Sequence, residues 1–110
     1  MLPKNIYTIS NIPDISQDEA FETILKGKDI KIERIISNGH TTEDNKWYDQ
    51  KTDEWVLLLQ GHAIIEFINN EKNELIPGDY IFIPAGKKHR VIYTSKNPHC
   101  LWLAIHVKPE

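Results

Sequence analysis

Two side chains in this sequence have the type and the setting for chemistry. Glu54 heads the apolar run Glu54-Trp55-Val56-Leu57-Leu58-Leu59, and His89 heads His89-Arg90-Val91-Ile92-Tyr93. Strand parity puts Glu54 on one face with Val56 and Leu58, and His89 on one face with Val91 and Tyr93. A carboxylate and an imidazole that meet in an apolar interior make either the nucleus of a divalent-metal site or an acid–base pair. Taken alone, Glu54 also reads as a surface glutamate at a strand start. Other histidines are candidates to join the pair. His40 lies in a polar loop, where it can swing over a cavity mouth or simply stay solvated. His106 alternates with Ala104 and Trp102; on an inward face it needs a polar partner, and a structural hydrogen bond outweighs ligation. His62 and His99 flank turns and are expected to be exposed. Trp47 and Tyr48, at a loop–strand junction, can wall a pocket or pack in the core. Lys87, Lys88 and Arg90 form a small basic rim beside His89.

His89 owes its position to two breaks in the chain. Pro77-Gly78-Asp79 launches the short apolar run Tyr80-Ile81-Phe82-Ile83, and Pro84-Ala85-Gly86 ends it. Pro presets φ and Gly takes the positive φ that other residues avoid. The imidazole should therefore stand where a strand leaves a tight turn. Further β-branched or aromatic runs read as strands at 29–37, 54–60, 62–68, 73–76, 80–83, 88–94 and 100–107, with a weaker edge strand at 5–10. Ser16-Gln17-Asp18-Glu19 reads as a capping box, and Ala20, Phe21, Ile24 and Leu25 then share a helical face up to Gly27. One helix is expected near 17–26, packed outside the sheets. Many short strands at regular spacing indicate an all-β sandwich or barrel. A single domain is expected: an arm and helix over 1–28, then a barrel over 29–108.

Composition narrows the function. A net charge of −3 gives no general basic field for nucleic acid. No apolar run is long enough to span a membrane, and the N-terminus lacks a signal-peptide core. The lone Cys100 excludes an internal disulfide and fits a reducing cytoplasm. Beside an apolar strand it reads as an inert buried thiol.

The spacing Gly78, five residues, Pro84, one residue, Gly86, two residues, His89 resembles the second signature motif of the cupin family. Glu54 and Gly61 match the end of the first motif. Its His-x-His slot, however, is occupied by Tyr48-Asp49-Gln50, and Tyr93 stands where the family often has Asn. The run from Trp47 to Gly61 is similar to that of small single-domain bacterial cupins with an altered first motif. The resemblance implies a cupin-like jelly roll with Glu54 and His89 side by side in the barrel. It further implies a divalent metal (Fe, Mn, Ni or Zn) on an altered ligand set. Glu54 and His89 would be retained, with Gln50, His40, Asp49 or His106 completing the shell. Tyr48 is a poor divalent ligand unless deprotonated, and the Gln50 carbonyl is weaker than an imidazole. Asp49 is a better donor of the wrong parity, able to enter only through a bulge or a loop. Open metal positions would suit oxygenase, isomerase or lyase chemistry on a small oxygenated substrate. The alternative is a metal-free ligand-binding or sensing module, its pocket lined by Trp47, Tyr48, Gln50, Tyr93 and His106. The expected partners are a small molecule and a second copy of the chain.

Overall fold

The computed structural model describes residues 1–110. Eight strands form two antiparallel sheets: β1(Ala20–Lys26), β2(Ile30–Ser37), β3(Asp53–Gln60), β4(Ala63–Phe67), β5(Lys72–Leu75), β6(Tyr80–Ile83), β7(His89–Thr94) and β8(Cys100–Val107). The larger sheet runs β1-β2-β8-β3-β6 and the smaller β5-β4-β7. The architecture is all-β, a cupin-like jelly roll, and it contains no helix. In particular, no helix is long and apolar enough to cross a membrane.

Alternation explains the core. Along β3, Glu54, Val56 and Leu58 are buried while Trp55 and Leu57 face outward and are half-buried. Val56 and Leu58 meet Trp102 and Ala104 of β8, and this layer packs on Ala63, Ile65 and Phe67 of β4. Each large side chain fully withdrawn from water, such as Phe67 or Leu58, is worth roughly 1.5–3 kcal/mol. The turn before β6 closes as its residues require. Gly78 has φ 95°, and Asp79 Oδ2 accepts the Ile76 N–H at 3.0 Å.

Two expectations fail at the N-terminus. The segment from Ala20 to Lys26 is not a helix but the edge strand β1, paired along β2 from Ala20↔Ile36 to Lys26↔Lys31. Its apolar residues fit either period, and the open edge of β2 decides the outcome. Ser16 caps no helix. Its hydroxyl donates to Asp14 Oδ2 at 2.7 Å, and Glu19 instead accepts from the Ser37 hydroxyl at 2.5 Å. The expected strand at 5–10 is an irregular arm. Arg34 holds it by donating to the Ile6 and Thr8 carbonyls at 2.9 and 2.8 Å.

Candidate functional site

The site lies between the sheets, and β3, β7 and β8 build it. Glu54 and His106 are direct partners across β3 and β8. His89 enters from the opposite sheet. Its backbone exchanges hydrogen bonds with Tyr48, 2.7 Å from Tyr48 N–H to His89 O and 3.1 Å in return. The preceding turn is pinned twice: the Gly86 N–H donates to the Gln50 carbonyl at 2.8 Å, and the Ala85 N–H donates to Asp53 Oδ1 at 2.8 Å. The segment ahead of β3 thus fixes the loop that aims His89.

Glu54 sits between two imidazoles. Its Oε1 is 3.7 Å from His89 Nε2 and its Oε2 is 3.8 Å from His106 Nε2. Neither separation is a hydrogen bond. The Nδ1 of His89 lies 3.0 Å from the Lys87 carbonyl. A carbonyl only accepts, so Nδ1 donates to it and Nε2 is the ring nitrogen turned toward Glu54. His106 is differently committed, because its Nε2 lies 2.8 Å from Glu33 Oε1 and donates to that carboxylate. Glu33, Glu54 and His89 are all buried. Burial pushes the Glu54 carboxyl above its ordinary value; His106 and His89 oppose the shift, and Glu33 adds to it. Glu19 is also raised by burial, against the hydrogen bond from Ser37. Burial raises Tyr48 as well, which keeps its phenol protonated at neutral pH.

These groups face a cavity of about 70 Å³. Ile35, Val56, Ile65, Ile83, Val91 and Trp102 form its apolar wall. Tyr48 stacks on the His89 ring with centroids 5.6 Å apart. Gln50 also lines the cavity, and its buried Oε1 has no hydrogen-bond partner. That orphaned acceptor is a polar group aimed at something the protein itself does not supply.

Glu54, His89, Tyr48, Gln50 and His106 are therefore brought together, while four other candidates are not. His40 is buried away from the cavity, not poised over it. Its Nδ1 accepts the Asn38 N–H at 2.8 Å, and its Nε2 reaches the Gln17 carbonyl at 2.8 Å. Both ring nitrogens are thus spent on tying the arm to the loop. Asp49 is exposed, as its parity dictates. Tyr93 is turned outward and is no pocket residue. β4 pairs Ile64 with Tyr93 but Ile65 with Val91, so one extra residue bulges from β7 and flips the parity beyond it. Trp47 lines an outer groove, with the Arg90 guanidinium 4.4 Å from its ring centroid. Glu19, Phe21 and Glu33 also line the cavity and were not among the candidates. A glutamate alternating with Lys31 and Ile35 on β2 was a visible signal for Glu33. Nothing marked Glu19 and Phe21 once their segment read as a helix.

The Cupin domain family model matches residues 34–106. The chain belongs to the cupin family. A protein from Ralstonia eutropha JMP134 described as a "putative mannose-6-phosphate isomerase" is 36% identical, with a TM-score of 0.89 over 99% of this chain and 100% of that one. A cupin superfamily protein from Desulfitobacterium hafniense DCB-2 is 22% identical, with a TM-score of 0.70 over 84% of this chain and 79% of that one. A Thermus thermophilus protein is 18% identical, with a TM-score of 0.78 over 98% of each chain. These last two likenesses concern the fold alone.

Cupins often hold a divalent metal, and the donor set here can be tested for it. A resident ion needs about three protein donors on one point. No group of three His, Cys, Asp or Glu side chains is so arranged. His106 is engaged by Glu33, the Tyr48 phenol stays protonated, and His40 and Asp49 are elsewhere. Only Glu54 and His89 remain as strong donors, so the residues as arranged do not fit a resident divalent ion.

Proposed function

We propose that this chain is a small-molecule-binding cupin that works without a resident metal. Its cavity recognises a small hydroxylated carbonyl compound by hydrogen bonds and moves a proton on it, as an isomerase does. The observation that carries this reading is Glu54, buried and unbonded between the Nε2 atoms of His89 and His106. A carboxyl raised by burial holds its proton to higher pH than an ordinary glutamate does, which suits it to exchange one with a ligand. In this reading Glu54 takes the proton from the carbon beside the carbonyl. The Tyr48 phenol, which lines the cavity and stays protonated, donates to the carbonyl oxygen, and Gln50 Oε1 accepts a ligand hydroxyl. The proton returns from Glu54 to the former carbonyl carbon while the proton of the adjacent hydroxyl passes to the former carbonyl oxygen, so carbonyl and hydroxyl exchange places with no net gain or loss of protons. The isomerase description of the Ralstonia relative supports the reaction class.

The test is proton exchange in heavy water. Wild-type protein should catalyse deuterium uptake beside the carbonyl of a bound sugar, and Glu54→Gln should abolish it. Binding without exchange would leave a ligand-binding or sensing module, the reading that competes. A stoichiometric metal in untagged protein by elemental analysis would overturn the metal-free assignment.

We further propose that the single cupin domain works as a homodimer in the cytoplasm. The buried free Cys100 is compatible with a reducing compartment. For the dimer, the outer face of the larger sheet offers Trp55, Leu57, Tyr80, Phe82, Leu103 and Ile105 in adjacent register. Tyr80 and Phe82 are 67% and 56% exposed. The cation on this face, Arg34, is already neutralised by Glu22 at 2.7 Å. A second copy can meet so neutral a face without like-charge repulsion.

A further inference from the structure

The cavity is approached from two sides, and their charges are opposite. On one side a groove lined by Asp18, Glu19 and Glu43 has a single lysine, Lys46, which pairs with Glu43 at 3.2 Å. On the other side an outer pocket of about 680 Å³ shares Phe21, Glu33, Gln50 and His106 with the cavity. Lys26, Lys28, Lys31 and Lys108 rim it, against two carboxylates, Asp29 and Glu33. They come from two stretches of the chain, residues 26–31 and the segment after β8. Lys26 ends β1, Lys28 lies in the β1–β2 turn, Lys31 is the second residue of β2, and Lys108 follows β8, its N–H on the Asp29 carbonyl at 3.0 Å. Lys26 and Lys31 are direct cross-strand partners, a like-charge pairing that weakens a sheet. Lys31 has Glu33 Oε2 at 3.3 Å, whereas Lys26, Lys28 and Lys108 make no ion pair. Four lysines gathered on a chain of net charge −3, mostly unpaired, are an arrangement that folding alone disfavours and an anion relieves.

We propose that this lysine-rimmed mouth binds the anionic tail, phosphate or carboxylate, of a ligand whose hydroxylated head enters the cavity. The inference rests on the reading that the cavity takes a hydroxylated compound. A second observation joins the two compartments: the orphaned Gln50 Oε1 belongs to a residue that lines both. It stands where a hydroxyl between head and tail would donate. The tail stays outside, because an anion in the cavity would meet the buried, unbonded carboxyl of Glu54, which lines that compartment alone. Glu33, which lines both compartments, is instead paired with Lys31 at 3.3 Å and His106 at 2.8 Å. A cavity of about 70 Å³ admits a short head, on the order of five non-hydrogen atoms at one water-sized sphere each. The ligand class is a short polyhydroxy carbonyl compound ending in phosphate or carboxylate.

The experiment is titration calorimetry on the full chain. The probes are three- to six-carbon sugar phosphates and uronic acids, each beside its uncharged parent, with inorganic phosphate alone. A charged probe should bind about tenfold more tightly than its parent at low salt, the sum of two or three exposed ion pairs. High salt should erase the difference. The phosphate and carboxylate arms identify the tail. Lys26→Gln with Lys108→Gln should remove the advantage and leave the parent's affinity unchanged, whereas Lys72→Gln on β5 should do nothing. An advantage that survives the double variant, or a parent sugar equally weakened by it, overturns the inference. So does the absence of any charged probe that binds better than its parent. Glu54→Gln separates the two readings, because it tests the head site with the uncharged parent, independently of the lysines.

Discussion

Glu54 carries the sharpest conflict between stability and use. Its folded-state carboxyl is raised above the ordinary value, chiefly by burial. Such a group contributes stability that is complete below its unfolded pKa and is lost as the pH rises through the folded value. At neutral pH the ionised form is therefore a liability to the fold. Glu54→Gln should raise the midpoint of thermal unfolding at pH 7 and shrink the difference between pH 5 and pH 7, while removing proton exchange. An unchanged pH dependence in this variant would mean that Glu54 is not the titrating group. Glycines offer a second contrast. Gly86 has φ 80° with nothing near a would-be Cβ, so alanine there should cost about 1 kcal/mol from the backbone alone. Gly61 has φ 94°, and its Cβ would lie 2.9 Å from the Cys100 Cα. Denaturant unfolding should find Gly61→Ala clearly the worse of the two.

Among the elements, β1 and the arm before it depend on few anchors. β1 has a neighbour on one edge only, and most of its residues are exposed. Arg34 reaches Glu22, Ile6 and Thr8, and His40 ties Gln17. Arg34→Ala should speed amide exchange over the arm and β1 while β3 and β8 keep their protection. Each lost charged hydrogen bond is worth roughly 1.5–3 kcal/mol. Equal loss of protection in β3 and β8 would show that the arm belongs to the global unfolding unit. Since Glu19 and Phe21 line the cavity, this variant should also weaken ligand binding.

For the whole molecule, the apolar outer face of the larger sheet leads to a prediction about assembly. Sedimentation should find a dimer, and Phe82→Glu with Tyr80→Glu should dissociate it, because two like charges would meet across the interface. The apolar outer residues Trp55 and Leu57 lie on the opposite face of β3 from Glu54 and Val56, which line the cavity. The monomeric variant should therefore keep its ligand affinity. A wild-type monomer at high concentration would remove the dimer from the account.

The all-β class, most of the strands and the meeting of Glu54 with His89 were legible along the chain. The strands follow from local rules, a period of two along each strand and glycine at turns that demand positive φ, whereas the meeting of Glu54 with His89 was implied by the resemblance of the motif spacing. The rest was settled by packing. The stretch from Ala20 to Lys26 carries a pattern that suits a helix or a strand, and only the free edge of β2 made it β1. The bulge in β7 is set by its pairing with β4, so the outward turn of Tyr93 was invisible along the chain. The partnership of Glu33 with His106 joins residues 73 apart in sequence. A contact across two strands depends on their register, and register is settled when the sheets pack. That pairing commits the His106 Nε2 to Glu33 and leaves Glu54 without a hydrogen bond between the two imidazoles.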